Sequence, residues 1–395
     1  MKKKILTRTI ILLSFVSLFT DIASEMLYPV IPMYLVSINY SAAFIGVLEG
    51  VAEFIAGLSK GYFGIWSDKI QRRLPFVRTG YILSALAKPL MIIIPSAWWI
   101  LLTRTLDRFG KGIRTASRDA MLSAESTPET KGRIFGFHRS MDTLGAAIGP
   151  AIALLYLYFF PGQYTWLFIF ALLPGLVTIG FLWKLKEKPS STEKNNNKIS
   201  FLSFFKYVKH SPKSYRLLIA GLLVFALFNS SDMFLLLKAK ELNYTDAEVI
   251  GLYIFYNMVY ALLSYPAGTL ADRFGLNKIF IFGILVFALV YAGFAFTSSL
   301  GILLVLFFAY GFYSAATEGI SKAWICNLVD KNETASAIGS FTAFQSVASM
   351  LASVIAGVLW TAFGATVAFS ATAIISLLVV VYLLIVNKKI AVQPV

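Results

Sequence analysis

Two carboxylates four residues apart, Asp21 and Glu25, stand in a run of apolar residues that is otherwise without charge. At helical spacing they are neighbours on one face, which Ser14, Ser17, Ser24 and Tyr28 share. Adjacent acids repel when both are ionised, so the pair is suited to taking up and releasing a proton. A salt-bridge role, in which they neutralise Arg104 and Arg108, is compatible with this. A second concentration of charge comprises Arg104, Asp107, Arg108, Lys111, Arg114 and Arg118. At 100° per residue these fall within about 120° of arc, opposite Leu102, Leu106, Phe109 and Ile113. Guanidinium groups gathered in this way suit ion pairing or recognition of carboxylate and phosphate. Gly110 and Gly112 would let a neighbour come close. Glu49 and Glu53 repeat the i, i+4 spacing, and Lys88, in the third span, is expected to pair with one of them.

The elements that must carry these residues follow from composition. Of 395 residues, 58% are hydrophobic and only 14% charged, with mean hydropathy +0.73; a soluble domain carries roughly 25% charged residues. Apolar stretches of about 20 residues, the length that crosses a bilayer, separate the charge clusters. Spans are predicted near 9–36, 43–66, 75–97, 98–120, 134–159 and 163–185, then 215–238, 246–270, 278–297, 299–322, 338–363 and 366–386. Helices are expected, since each span must satisfy its own backbone, and no strand-like alternation suggests a barrel. Ionisable groups inside such spans cost roughly 2.5–3.5 kcal/mol each, which calls for a reason. The candidate proton- and substrate-binding set is Asp21, Glu25, Tyr28, Glu49, Glu53, Arg104, Asp107, Arg108, Lys111, Asn229, Asp232 and Glu318. Most of it lies in the first half. Tyr253, Tyr256 and Tyr260 could line a cavity or simply pack. His138, Arg139 and Asp142 open the fifth span and read as a structural tether.

The net charge of +15 is a topology signal rather than a mark of nucleic-acid binding. Lys2, Lys3, Lys4, Arg8, Lys69, Arg72, Arg73, Lys131 and Arg133 share one side if the spans alternate, with the 186–214 lysines, Arg273, Lys278, Lys388 and Lys389. That side is expected to be cytoplasmic, with both termini there, in a plasma (bacterial inner) membrane. Lys238 and Lys240 are exceptions at the outer end of span seven. The MKKK start precedes a run too long for a signal peptide, with no small-residue cleavage site, and reads as a retained helix. A single cysteine, Cys326, excludes an internal disulfide or a cysteine metal cluster.

A shift of 204 residues places Asn39-Tyr40-Ser41 on Asn243-Tyr244-Thr245, Gly64 and Asp68 on Gly268 and Asp272, and Glu129-Thr130 on Glu333-Thr334. The chain therefore divides into a six-helix bundle at 1–185, a polar linker at 186–214 and a second bundle at 215–395, repeated in the same orientation. Phe201, Leu202, Phe204 and Phe205 suggest a short interfacial helix in the linker.

The loop after span two reads Gly64-Ile-Trp-Ser-Asp68-Lys-Ile-Gln71-Arg72-Arg73, and after span eight Gly268-Thr-Leu-Ala-Asp272-Arg273-Phe-Gly275. Both resemble the G-x-L-A-D-R-x-G signature of the major facilitator superfamily, although Gln71 replaces the family's glycine, which puts that turn in doubt. The small residue allows close helix approach, and the Asp can accept from a facing helix N-terminus. The resemblance implies an all-α membrane protein of twelve transmembrane helices in two pseudo-symmetric bundles. It also implies a conformational latch at Gly64, Asp68, Arg72, Gly268, Asp272 and Arg273, with Gly145, Gly149 and Pro150 of the fifth span. Tyr28-Pro29-Val-Ile-Pro32 and Gly145-Ala-Ala-Ile-Gly149-Pro150 are similar to motifs of the twelve-helix drug–proton antiporter branch, though simple packing explains them equally well. The Arg104 region resembles the family's helix-four motif.

A proton-coupled secondary transporter is thus expected, exporting a small amphipathic or cationic compound by alternating access. It would work as a monomer in the lipid bilayer, with a proton gradient as energy source and no cofactor. A carrier of organic anions or phosphorylated metabolites is the alternative, favoured by the helix-four cations. No nucleophile elbow, zinc-protease motif or nucleotide loop suggests an enzyme.

Overall fold

The computed structural model describes residues 5–40, 42–187, 203–242, 244–297 and 299–391, with side chains for all of these except 42–47, 49, 246, 247 and 388–391. The Glu49 side chain, Ser41, Asn243, Phe201 and Leu202 lie outside the described residues.

The first half runs α1 Arg8–Leu27, α2 Val30–Ser37, α3 Ala42–Lys69, α4 Leu74–Leu90, α5 Ala97–Ala124, α6 Lys131–Phe159, α7 Tyr164–Phe170 and α8 Leu172–Trp183. A short helix, α9 Ser203–His210, precedes α10 Lys213–Ala226, α11 Met233–Glu241, α12 Asp246–Phe274, α13 Leu276–Phe296 and α14 Leu300–Cys326. A 3₁₀ turn at Lys331–Glu333 leads into α15 Thr334–Phe363, and α16 is Ala365–Ala391.

Three predicted spans are interrupted rather than continuous, and each break has a local cause. Span one parts at Tyr28 and Pro29, and span six at Ala171, three residues before Pro174. Proline lacks an N–H, and its ring crowds the carbonyl four residues back. Span seven parts between Ala226 and Met233, where Asn229, Ser230, Ser231 and Asp232 offer side-chain groups that compete with the helical ladder. Eight helical spans among the described residues are long and apolar enough to cross a membrane. The remaining predicted spans are α3, α4, α5 and the α10–α11 pair, and they hold Glu53, Lys88, the clustered basic side chains and the Asp232 break.

Helix ends are closed by side chains. Thr7 Oγ1 accepts from Ile10 N at 3.4 Å, and Thr245 and Glu248 form a capping box at α12. At α4 the cap comes from far along the chain: Glu187 accepts from Arg73 N at 2.6 Å and Leu74 N at 2.9 Å. In α9, Phe204 is buried, against the position a Gly61 Cβ would take, while Phe205 is half exposed. One ring of the expected interfacial pair therefore packs on protein.

The chain forms two compact units, 1–127 with 141–208 and 330–343, and 128–140 with 209–329 and 344–395. In the first, α3 and α4 both pack on α5, and α8 packs on α1 and α4. In the second, α12 and α13 pack on α14, and α16 packs on α10 and α13. The pairing repeats helix for helix. With lipid tails as apolar as leucine, close backbone approach has to hold such helices together. Gly80 and Gly110 supply it at the α4–α5 crossing, where an added Cβ would lie 2.5 and 2.6 Å from the other's carbonyl oxygen. Gly112 does the same against Ala56 and Ser59 of α3.

Candidate functional site

In the first unit the charges of α5 face protein. Asp107, 3% exposed, is the hub. It accepts from Lys88 Nζ at 2.9 Å, from Arg104 Nη1 at 3.3 Å and from Ser84 Oγ. Lys88 also donates to the Ser84 carbonyl at 3.0 Å. The expected partner of Lys88, an acid of span two, is thus replaced by Asp107. A lysine on α4 reaches an α5 acid because Gly80 and Gly110 bring these helices together. Such a triad has little net worth, but removing its acid strands two buried cations. Arg108 instead approaches Glu53 at 3.9 Å, as does Lys60 at 4.0 Å, and the Glu53 side chain is half exposed.

Lower on the same face, Arg114 and Arg118 behave differently. Arg118 donates to Ser17 Oγ at 3.1 Å and pairs with Asp119 at 3.0 Å and Asp142 at 3.8 Å. Arg114 is 3% exposed and stacks on the Tyr81 ring at 4.3 Å, while its Nε and Nη1 have no acceptor.

Asp21 has Asp142 as its nearest acidic neighbour, with Lys111 and Glu25 as further charged neighbours. Ser17 Oγ donates to Asp142. The acid nearest Asp21 is therefore on α6, and Glu25 stands beside the pair. Gly145 and Gly149 make this possible: an added Cβ would lie 2.6 Å from Leu18 O and 2.6 Å from Met26 N. Pro150 lies within α6 without ending it. Tyr28, at the α1 break, is 41% exposed.

The two signature loops are built alike. Asp68 accepts from Ser336 N at 2.7 Å and from Arg73 Nη2 at 3.1 Å. Asp272 accepts from Gly132 N at 2.7 Å and Arg133 N at 2.9 Å. Gly132 and Ser336 are themselves 204 residues apart, each in the first turns of a helix whose N–H groups lack intrahelical partners. An added Cβ at Gly64 or Gly268 would meet a carbonyl oxygen at 2.4 or 2.2 Å. Arg72 and Arg273 are exposed, and Arg73 and Arg133 approach the acids instead. Gln71 keeps the turn that its missing glycine put in doubt, adopting φ 52°, while Gly275 at the equivalent position has φ 106°. Asp68 lies two residues past the predicted span, and burial pushes its carboxyl up to about 6 against the pull of Arg73 and the Ser336 N–H.

The second unit gathers rings. At the α10–α11 break, Asp232 accepts from Tyr310 Oη at 2.6 Å, and Asn229 Nδ2 donates to Tyr313 Oη at 2.9 Å. Tyr256 stacks on Tyr260 at 6.1 Å between centroids and lies tilted against Tyr310 at 5.0 Å. Arg139 lies over Tyr260 at 5.2 Å, bonds its hydroxyl and pairs with Glu318 at 3.7 Å. The expected tether of His138, Arg139 and Asp142 is divided accordingly: Arg139 serves the second unit and Asp142 the first. Asp142 and Gly145, three residues apart, share a helix face, which is the one sequence signal that could have marked that acid. Nothing comparable marks Tyr81 or Tyr310.

Known proteins resemble this chain over nearly its whole length. A sequence model described as Major Facilitator Superfamily matches residues 13–255 and 231–394. An uncharacterised MFS-type transporter of Methanocaldococcus jannaschii is 37% identical over 361 residues, covering 90% of this chain and 89% of that one. A multi-drug resistance efflux pump PmrA homologue of Lactococcus lactis is 23% identical over 375 residues, covering 87% and 91%. Among solved structures, the human organic anion transporter MFSD10 superposes with TM-score 0.78 at 15% identity over 95% and 99% of the two chains. The E. coli fucose:proton symporter FucP does so with 0.75 at 14% over 95% and 98%. These likenesses agree with the all-helical architecture and the repeated helix pairing, and the chain belongs to the Major Facilitator Superfamily of secondary transporters.

Proposed function

We propose that this protein is a proton-coupled exporter of a small amphipathic or cationic compound, and that the Asp21–Asp142 pair carries the proton. One observation supports this most directly: Gly145 and Gly149 seat α6 on α1 so that two acids, Asp21 and Asp142, are neighbours inside the membrane-spanning region. Neighbouring carboxylates repel when both are ionised, so such a pair is suited to holding and releasing one proton. Lys111 and Arg118 stand by to receive the charge when that proton leaves. Alternating access would expose the pair to one side of the membrane and then the other. Export is favoured by the efflux-pump relative in Lactococcus lactis.

The test is pH-gradient-driven transport in proteoliposomes. In the double variant Asp21→Asn, Asp142→Asn, gradient-driven movement should vanish while substrate exchange without a gradient persists. Wild-type accumulation under a gradient would refute the assignment.

A second reading, an organic-anion carrier, draws on Arg114, whose buried guanidinium has Nε and Nη1 without acceptors. Of the α5 cations it suits an anion better than Arg104, which Asp107 engages. Inhibition of transport by organic anions, abolished in Arg114→Gln, would favour this reading over export of cations.

A further inference from the structure

We propose that α9 is a strap across the crossing of α3 with the head of α15, and that its Phe204 ring must leave a slot there before the two helices can part. The inference goes beyond the transport reading and holds whichever compound is carried.

Glycine builds the slot. α3 and the first turns of α15 meet backbone to backbone: a Cβ on Gly64 would lie 2.4 Å from Ala335 O, and one on Gly339 2.4 Å from Lys60 O. Gly61 stands one turn before Gly64 on the same face of α3, yet its nearest neighbours are side chains. A Cβ there would lie 3.0 Å from Cγ and Cδ1 of Phe204 and 3.1 Å from Ala343 Cβ. The ring therefore fills the notch that Gly61 leaves between α3 and α15, and it is 2% exposed.

The second unit shows the same crossing without a strap. Tyr265 stands 204 residues after Gly61, and Phe137 stands 204 before Phe341. There α12 carries its own ring, and Tyr265 packs edge-on against Phe137 with centroids 6.1 Å apart. The first unit keeps the buried Phe341, but α3 has glycine and the linker supplies the ring. Gly61 is thus a seat for Phe204.

The hold on α9 is light. Of its side chains only Phe204 is buried. One turn on, Tyr207 Oη donates to Glu333 Oε2 at 3.3 Å, an exposed bond just before the head of α15. Water replaces such a bond at little cost, so the catch can release with α3 and α15 intact. Alternating access requires helices at such a crossing to part in one state, and the ring then loses one wall of its slot. Phe204 thereby favours the closed crossing and ties its opening to the linker.

Thiol labelling of the full-length protein in mild detergent tests this without substrate or gradient. Cys326→Ser removes the one native thiol, and Ala335→Cys places a probe at a fully buried alanine of the crossing. A water-soluble maleimide reaches it only when the crossing opens, so the labelling rate reports the opening equilibrium. Phe204→Ala should raise that rate by about tenfold, whereas Phe205→Ala, at the exposed neighbour, should leave it within about twofold. Phe204→Leu should give a smaller rise and decides alone if Phe204→Ala does not fold. A thiol at Ala85→Cys, buried in α4 away from the crossing, should not respond. Equal rates with and without the Phe204 ring, or an equal rise in Phe205→Ala or at the Ala85 position, would overturn the proposal.

Discussion

The two units share a helix plan and differ in what they bury at its centre. In the first, Lys88 and Arg104 answer Asp107, and separately Arg118 answers Asp142, so that charges meet charges. In the second, Asp232 is answered by tyrosine hydroxyls. Repeated architecture therefore does not impose repeated chemistry. An ionic cluster is rigid in composition, since each member exists to offset another. A ring cluster tolerates the loss of one charge because neutral hydroxyls find other partners.

That difference sets the expected order of mutational effects. Asp107→Ala should be the most damaging, costing about 3–5 kcal/mol because Lys88 and Arg104 are left buried and unpaired. Asp232→Asn should cost about 1 kcal/mol or less. Unfolding midpoints in mild detergent read both, and similar losses would erase the contrast between the units.

Next comes pH. Asp68 has a folded value of about 6 against 3.8 when exposed. A raised value means its stabilising contribution is full below about pH 4 and is lost as pH climbs through 6, about 3 kcal/mol in all. Asp68→Asn should remove that slope from the unfolding curve measured between pH 4.5 and 8. Parallel curves for variant and wild type would mean the carboxyl stays ionised throughout.

Smaller effects come from the turns. Gly275→Gln forces a side chain onto φ 106°, ψ 133°, a region open essentially to glycine, and should cost about 1–3 kcal/mol. Gln71→Gly, at φ 52°, should change stability by about 1 kcal/mol or less. Near-equal shifts in thermal unfolding would show that the two turns are interchangeable.

Much of this architecture is legible in residue order, and the limits are physical. Hydropathy and the 204-residue shift locate the spans, because lipid demands apolar length and a duplicated fold repeats its glycines and aspartates. The breaks at Pro29 and Asn229–Asp232 escape a windowed reading, which averages a few polar residues into a long apolar run. Partner choice escapes for another reason. Lys88 chooses Asp107 over Glu53, and Asp21 meets Asp142, because glycine crossings set which helices touch. No spacing within one helix records that. Arg73 rather than Arg72 reaches Asp68 because a single residue of turn rotates a side chain from solvent to protein.

The Glu187 carboxylate at the head of α4 has a practical consequence for anyone inserting a reporter between the halves. The segment leaving α8 is moored at Glu187 to the head of α4. A fusion spliced in at Glu187 itself would unmoor α4, whereas one placed after it would leave both bundles with their native ends.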